Sequence, residues 1–382
     1  MEILTNGSSL RTSSSLLAFA MPPDEDGEAN VGLYDYLTRT FATCSINILH
    51  WLSFFSTGQT LERAKKQHSG LDQETIDEQI GTLLELGFLA KEGTERHAQN
   101  EDFRKRWAWD ALAGAFHFSI LNNEFMTVEQ STDFQLKKLN VEPVPELSWA
   151  PLGEERIALP SFADSPARDL LALLAKRRTN RTSAGHVLSL QEIGDCLFSA
   201  FGITCHVKTP VATLPLSLAP SGGARNPYEP FVIIRRCEGL APGVYHYSGL
   251  KHELTLLRHL PEGFTIAEML GGQDWAEDMA AVIFLVANFE RSMWKYQDSN
   301  AYRVILIEAG HRAQNLMATA AAHGLTACPT AALAHAKVHK ALGLPDQILQ
   351  TPVYALTLDR ALPNEDVLIS NPTHNVCIAA SS

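Results

Sequence analysis

Lys295 and Tyr296 stand side by side in WKYQDSNAYR, residues 294–303. An ammonium beside a phenol favours the phenolate, which suits removal of a proton in catalysis. A solvated lysine next to a packed tyrosine would read the same way. Arg177, Arg178 and Arg181 lie in KRRTNR, at the end of a helical pattern. Their planar forks match phosphate oxygens, although cations also suit the C-terminal end of a helix dipole. PSGGARNPYE, residues 220–229, sets two glycines between a Pro-Ser pair and Arg225-Asn226. Glycines let a backbone approach a flat or charged ligand and offer N–H donors, and Ser221, Arg225 and Asn226 add polar contacts. A glycine turn at the start of a strand is the simpler alternative. Glu308 and His311 have the spacing of a di-iron carboxylate helix, but the partner motifs of such a bundle are missing. Cys205-His206 and His374 with Cys377 lack zinc-type partners, so no metal is expected.

These residues belong to a chain of 382 residues, long enough for two domains, with 45% hydrophobic and 19% charged residues. Its net charge of −12 argues against nucleic-acid binding. Six scattered cysteines without a CxxC pair suit a reduced, cytoplasmic protein. The longest apolar run, Met279 to Phe289, covers 11 residues and reads as a buried strand, not a membrane span. No GxGxxG opens a helix after a strand, and no GxxxxGK[ST] is present.

The elements that must position the candidate residues fall into three parts. Residues 1–33 are Ser-rich and then acidic, and read as a flexible arm. Residues 34–150 begin with three helical patterns: SINILHWLSFF, TLERAKKQH and LDQETIDEQIGTLLELG. The third places Ile76, Ile80, Leu83 and Leu84 on one face, with Gly87 at its end and a short strand from Phe88. That order is the outline of a winged helix. The third helix carries five acids and no Lys or Arg, so a peptide or protein partner suits it better than DNA. FRKRWAWDALAGAFHFSIL predicts one further helix over 103–121, followed by a proline-rich linker. Residues 151–382 predict a helix after Ser165-Pro166, a second opened by a Ser189–Glu192 capping box, strands FVIIRRC, GVYHYS, HELTLLR, AAVIFLVANF and PVYALTLDR, and a long helix from Tyr302 to His323. Strands interleaved with helices, some in hairpin order, predict an α+β fold.

Taken in order, RRTNR, PSGGARNPYE, PGVYHY, WKYQDSNAYR and EAGHRAQNL resemble the FMN-dependent dehydrogenases of SagB type, a branch of the nitroreductase superfamily. The resemblance covers about residues 165–360, and WAWDALAGAFHFS is similar to the segment preceding that catalytic domain. It implies a nitroreductase-like mixed sheet flanked by helices, with bound FMN at the interface of a homodimer. It implies oxidation of thiazoline or oxazoline rings to thiazoles or oxazoles in a ribosomally made peptide. Arg177, Arg178 and Arg181 match the phosphate-binding run, with Thr179 where Ser is frequent. Pro220, Ser221, Gly222, Gly223 and Arg225 match the loop near the isoalloxazine. Lys295 and Tyr296 match the catalytic pair, and Arg360 falls where a late basic residue contacts phosphate. The implied partners are a peptide substrate, its leader peptide and a cyclodehydratase. The alternatives are oxidation of another peptide or amino-acid-derived substrate, an NAD(P)H-dependent nitro or quinone reductase, and a non-catalytic docking subunit.

Overall fold

A computed structural model describes residues 7–23, 27, 29–121, 127–141, 168–209, 213–296 and 299–362. The chain divides into two compact units. The first comprises Met1–Leu121 with Met293–Tyr302, and the second Asn122–Ser292 with Arg303–Ser382. The linker prolines and the Ser165-Pro166 helix start fall largely outside the described residues.

The first unit runs β1 (Ser9–Thr12), β2 (Leu16–Met21), β3 (Asn30–Asp35), β4 (Thr40–Ser45), α1 (Leu49–Phe54), β5 (Gln59–Thr60), α2 (Leu61–Gln67), α3 (Gln73–Glu85), β6 (Leu89–Lys91), α4 (Glu95–Arg106) and α5 (Ala111–Ser119). Two three-stranded antiparallel sheets form, in the orders β5-β1-β6 and β2-β3-β4. The expected flexible arm is therefore structured between Ser9 and Met21. Leu10 is 2% exposed and packs with Trp51, Phe55, Ile76 and Ile80, so burial against the helices outweighs the local serine content.

The helices follow their apolar faces. Ile76, Ile80 and Leu83 are buried on α3, Asp72 caps its start, and Gly87 follows it with φ 73°. The single helix expected over 103–121 is instead two. Trp107 leaves the helical region with ψ 101°, and Asp110 accepts the N–H groups of Leu112 and Ala113, which starts α5 afresh. Asp35, fully buried, is held by Arg96 and by the Ser15 hydroxyl at 2.8 Å.

The second unit carries α6 (Val128–Leu139), α7 (Arg168–Lys176), α8 (Leu190–Phe201), β7 (Ile203–Lys208), β8 (Thr213–Ser217), β9 (Tyr228–Ile234), β10 (Gly243–Ser248), β11 (Glu253–His259), β12 (Ala281–Asn288), α9 (Phe289–Met293), α10 (Asn300–Ala322), β13 (Thr326–Thr330), α11 (His335–Leu342) and β14 (Gln350–Asp359). The ends of α9 and α10 nearest residues 293–302 count with the first unit. The predicted capping box is present at Ser189 and Glu192. Six strands form one sheet in the order β11-β10-β9-β12-β14-β13, and β7-β8 forms a separate hairpin. Each pairing in the six-stranded sheet is antiparallel, and an isolated parallel bridge joins Leu188 to Cys237. Residues 281–287 of β12 are all buried, which explains why this strand reads as an unbroken apolar run. No helix among the described residues is long and apolar enough to cross a membrane.

Candidate active site

The glycine loop enters the sheet at the start of β9. Gly223, Ala224 and Asn226 have φ values of 60°, 54° and 44°, a left-handed path that glycine enters freely and alanine does not. The polar side chains of the loop hold this path. The Ser221 hydroxyl accepts the Asn226 N–H at 2.9 Å. Asn226 donates to the Pro215 carbonyl at 2.8 Å, and its own side-chain oxygen accepts from Ser217 at 3.0 Å and from Arg312 at 2.9 Å. Arg225 donates from Nε to the Gly223 carbonyl at 3.1 Å. Ser221 and Asn226 thus brace the loop from within, where the sequence suggested that they face a ligand.

Behind the loop stands Glu308, on α10 and 4% exposed. Its Oε1 accepts the Gly222 N–H at 2.6 Å. Burial pushes its carboxyl above the ordinary glutamate range, against the lowering influence of Gly222, Ser221 and Arg312. A Cβ added to Gly222 would lie 3.0 Å from Val304 Cγ1 and 3.4 Å from Glu308 Oε1, so glycine is what lets the loop press on the helix. Glu308 drew notice in the sequence for its spacing to His311 and as the first residue of EAGHRAQNL. Its role as an anchor depends on which face of α10 meets the loop, and no spacing rule reports that.

The arginines form a second group. Asn180 donates its N–H to Thr326 Oγ1 at 3.3 Å, Thr326 Oγ1 donates to the Arg178 carbonyl at 3.2 Å, and the Ala184 N–H reaches the Arg360 carbonyl at 2.8 Å. These bonds lay residues 178–184 beside the start of β13 and the end of β14, and so bring Arg178, Thr179, Arg181 and Arg360 to one edge. Arg178 curls back onto the Ala175 and Arg177 carbonyls, Arg181 lies over the Trp275 ring at 5.6 Å, and Arg360 stands 3.5 Å from Glu192. Among the described residues Arg177, Arg178 and Arg181 make no ion pair with a carboxylate, so their charge is available to an anion.

Strand register separates the two groups. Tyr228 pairs with Ala287, and Ile234 with Ala281. Leu358 also pairs with Ala281, and Gln350 with Asn288. The glycine loop therefore leaves one end of the sheet and Arg360 leaves the other. Six residues of strand, roughly 20 Å at 3.3 Å each, lie between. One copy of the chain does not gather the loop and the arginines into a single pocket.

Lys295 and Tyr296 belong to the first unit. Lys295 Nζ lies 5.2 Å from the centre of the Tyr296 ring. Trp109 donates its indole N–H to the Tyr296 carbonyl at 3.2 Å, and the Asp110 N–H reaches Ser299 Oγ at 3.2 Å. Buried His117 bonds the Tyr302 hydroxyl at 2.8 Å, and burial raises that phenol well above its ordinary range. The WAWD stretch thus fixes the segment that carries the Lys-Tyr pair.

A further set of polar residues lines a cavity of about 520 Å³ between the β7-β8 hairpin, β9, β10 and α10. On adjacent strands, Glu229 and His246 meet diagonally, with His246 Nε2 and Glu229 Oε2 2.7 Å apart, and Arg291 pairs with the same carboxylate. Burial works to raise the Glu229 pKa, but the bonds and charges of His246 and Arg291 outweigh it and hold the carboxyl below its ordinary range. Glu229 and His246 sit in the NPYE and VYHY motifs, and no local pattern reports that the two motifs meet.

The Nitroreductase family profile matches residues 174–358. A protein of Methanocaldococcus jannaschii named "Putative nitroreductase MJ1384" is 31% identical over 171 residues, which span 44% of this chain and 80% of that protein. The chain belongs to the nitroreductase family. The trifolitoxin-processing protein TfxB of Rhizobium leguminosarum bv. trifolii is 29% identical over 149 residues, 37% of this chain and 39% of that protein. Among solved structures, a nitroreductase-like protein of Anabaena variabilis aligns with a TM-score of 0.42 and 24% identity, over 51% of this chain and 38% of that one. The E. coli microcin synthetase McbBCD complex with truncated pro-MccB17 aligns with a TM-score of 0.46 and 22% identity, over 63% of this chain and 85% of the matched one. The matched residues lie inside the part, 151–382, where the sequence predicted an α+β fold. Family membership makes the chain an oxidoreductase by descent.

Proposed function

We propose that this chain is an FMN-dependent dehydrogenase that oxidises azoline rings, thiazoline or oxazoline, in a ribosomally made peptide. The observation that carries the reading is the placement of family motifs at the two ends of one sheet. Three arginines that make no ion pair with a carboxylate among the described residues suit a phosphate, and a glycine loop suits the face of a flat ring. The opposite placement favours a homodimer in which one copy's arginines and the other copy's loop serve the same cofactor.

FMN fits the residues present. Arg177, Arg178 and Arg181, with Arg360 beside them, would hold the phosphate, each charge-assisted bond contributing about 1.5–3 kcal/mol. Thr179 adds a hydroxyl at the same edge. Pro220 to Gly223 and Arg225 would lie along the ring system, on a path held from behind by Glu308 and Asn226. Bound FMN supplies the two-electron acceptor for a hydride. Tyr296 would serve as the base that takes the proton from the ring carbon, with the Lys295 ammonium 5.2 Å from its ring centre. Trp109 and Asp110 hold the backbone on which that pair sits.

The similarity to a trifolitoxin-processing protein supports a peptide substrate. Residues 34–150, expected to be winged-helix-like, would serve a leader peptide or a cyclodehydratase. Asp72, Glu74, Glu78 and Glu85 are exposed on α3 and favour a basic partner. The acidic composition and scattered thiols suit a cytoplasmic enzyme.

The test is the visible spectrum of the purified full chain, followed by turnover of an azoline-containing peptide. Bound FMN near one per chain with aromatisation of the ring supports the proposal. Rapid bleaching by NADPH without azoline turnover would move the assignment to a nitro or quinone reductase, which the similarity to MJ1384 favours. A colourless chain that also fails to take up added FMN would make it a docking subunit.

A further inference from the structure

We infer that Asp359 is the positioning residue of the phosphate site: its buried carboxylate ties the arginine run to Arg360 and so sets how the two face a phosphate. The inference rests on the FMN reading given above.

Residues 177–187 form neither helix nor strand, so no backbone ladder fixes the arginines they carry. Bonds to the sheet must do so. Asp359 closes β14 and is fully buried. Its Oδ2 accepts the Ser183 hydroxyl at 2.8 Å, Arg236 Nη2 at 2.8 Å and the Ala280 N–H at 2.9 Å. Its Oδ1 accepts the Arg360 N–H at 2.6 Å. Arg236 in turn reaches Ser183 Oγ at 3.3 Å and the His186 carbonyl at 3.2 Å. One carboxylate thus holds both the residue two positions after Arg181 and the backbone of Arg360.

The sheet does not need this side chain to close its corner. Backbone pairing already joins the strands there: Ala281 pairs with Ile234 and Leu358, and Asp359 itself pairs with Thr326. Burying a carboxylate is costly, and here the Arg236 cation and three further donors offset that cost. What the arrangement adds is a fixed spacing between the arginine run and Arg360. Bonds to a phosphate depend on that spacing, because planar guanidinium forks donate only along set directions. A carboxylate would repel a phosphate directly, so Asp359 acts through the backbone of its neighbours.

FMN and riboflavin, which lacks the phosphate, are the probes, titrated by fluorescence onto the full chain freed of flavin. Ser183→Ala removes one bond to Asp359 and keeps the Arg236–Asp359 pair. It should weaken FMN about threefold to tenfold and leave riboflavin unchanged. Ser183→Thr keeps the hydroxyl and should restore FMN to within about twofold of wild type. Asp359→Asn should weaken FMN about 10- to 100-fold, again sparing riboflavin. If thermal melting shows that Asp359→Asn does not fold, Ser183→Ala decides. The salt dependence of FMN binding should become shallower in each weakened variant, because fewer phosphate contacts remain to be screened. That slope gives the answer even where riboflavin binds too weakly to titrate. Unchanged FMN affinity in folded Ser183→Ala, a loss that riboflavin shares equally, or a loss with unchanged salt dependence would overturn the positioning role and leave the FMN reading standing. A wild-type chain that binds no FMN would overturn both.

Discussion

Removing the Glu308 carboxylate tests whether the glycine loop is anchored from behind. In Glu308→Ala the half-buried Gly222 N–H loses its acceptor at 2.6 Å. The hydrogen bond contributes about 0.5–1.5 kcal/mol, and the space left by the side chain adds to the loss. The expected destabilisation is about 2–4 kcal/mol. For a unit of this size, each kcal/mol lowers the melting midpoint by about 2–4 °C, so a drop of roughly 4–16 °C follows. The two units are fitted as separate transitions in calorimetry, and only the second should move.

A pH series sharpens the test. Burial raises the pKa of Glu308 in the fold, so the ionised form is the disfavoured one. Its stabilisation is fully present below the unfolded glutamate value of about 4.3 and is lost as pH rises through the higher folded value. Glu308→Gln lacks this dependence. Relative to the wild type it should therefore gain stability as pH rises above about 4.3 and through the raised folded value. Fixed costs of the amide cancel in that comparison. A Glu308→Ala midpoint within about 1 °C of wild type, or a Glu308→Gln difference that is flat or falls with pH, would refute the reasoning.

Tyr296→Phe should abolish azoline turnover, by roughly 100-fold or more, while bound flavin stays at the wild-type level in the absorption spectrum. Arg177→Gln and Arg181→Gln should each weaken FMN about 10- to 150-fold in a fluorescence titration, since each removes one charge-assisted phosphate contact. Higher salt should weaken wild-type FMN binding as well. Ile80→Ala, deep in the first unit, should cost about 2–5 kcal/mol in urea unfolding and leave the second unit's transition in place.

The sequence carried the strands and helices whose pattern is strong. Fully buried β12 declared itself by an unbroken apolar run, α8 by its capping box, and α3 by apolar residues three and four apart. It did not carry β1 and β2, because short strands beside serines and acids are settled by partners distant in sequence, such as Leu10 against Ile80. Nor did it reveal the break at Trp107–Asp110, where one aspartate accepting two backbone N–H groups outweighs an otherwise helical pattern.

The candidate site was legible as residue types and illegible as an arrangement. The arginines and the glycine loop stood out, but only strand register showed that they leave opposite ends of the sheet. Ser221 and Asn226 looked like ligand contacts because both roles, bracing and binding, draw on the same donors and acceptors. Glu229, His246 and Arg312 had no local signature, since their partners arrive from other strands and helices.

The segment Met293–Tyr302 leaves the second unit and returns to it, so the backbone crosses between the units three times. A protease nick anywhere in residues 122–167 would therefore not release two independent fragments. The larger piece would still own the Lys-Tyr stretch, while Trp109, Asp110 and His117, which hold that stretch, would sit on the smaller. The fragments should co-elute from a sizing column and part only in denaturant. Cloning the nitroreductase-like half alone would likewise deprive the proposed catalytic pair of its support.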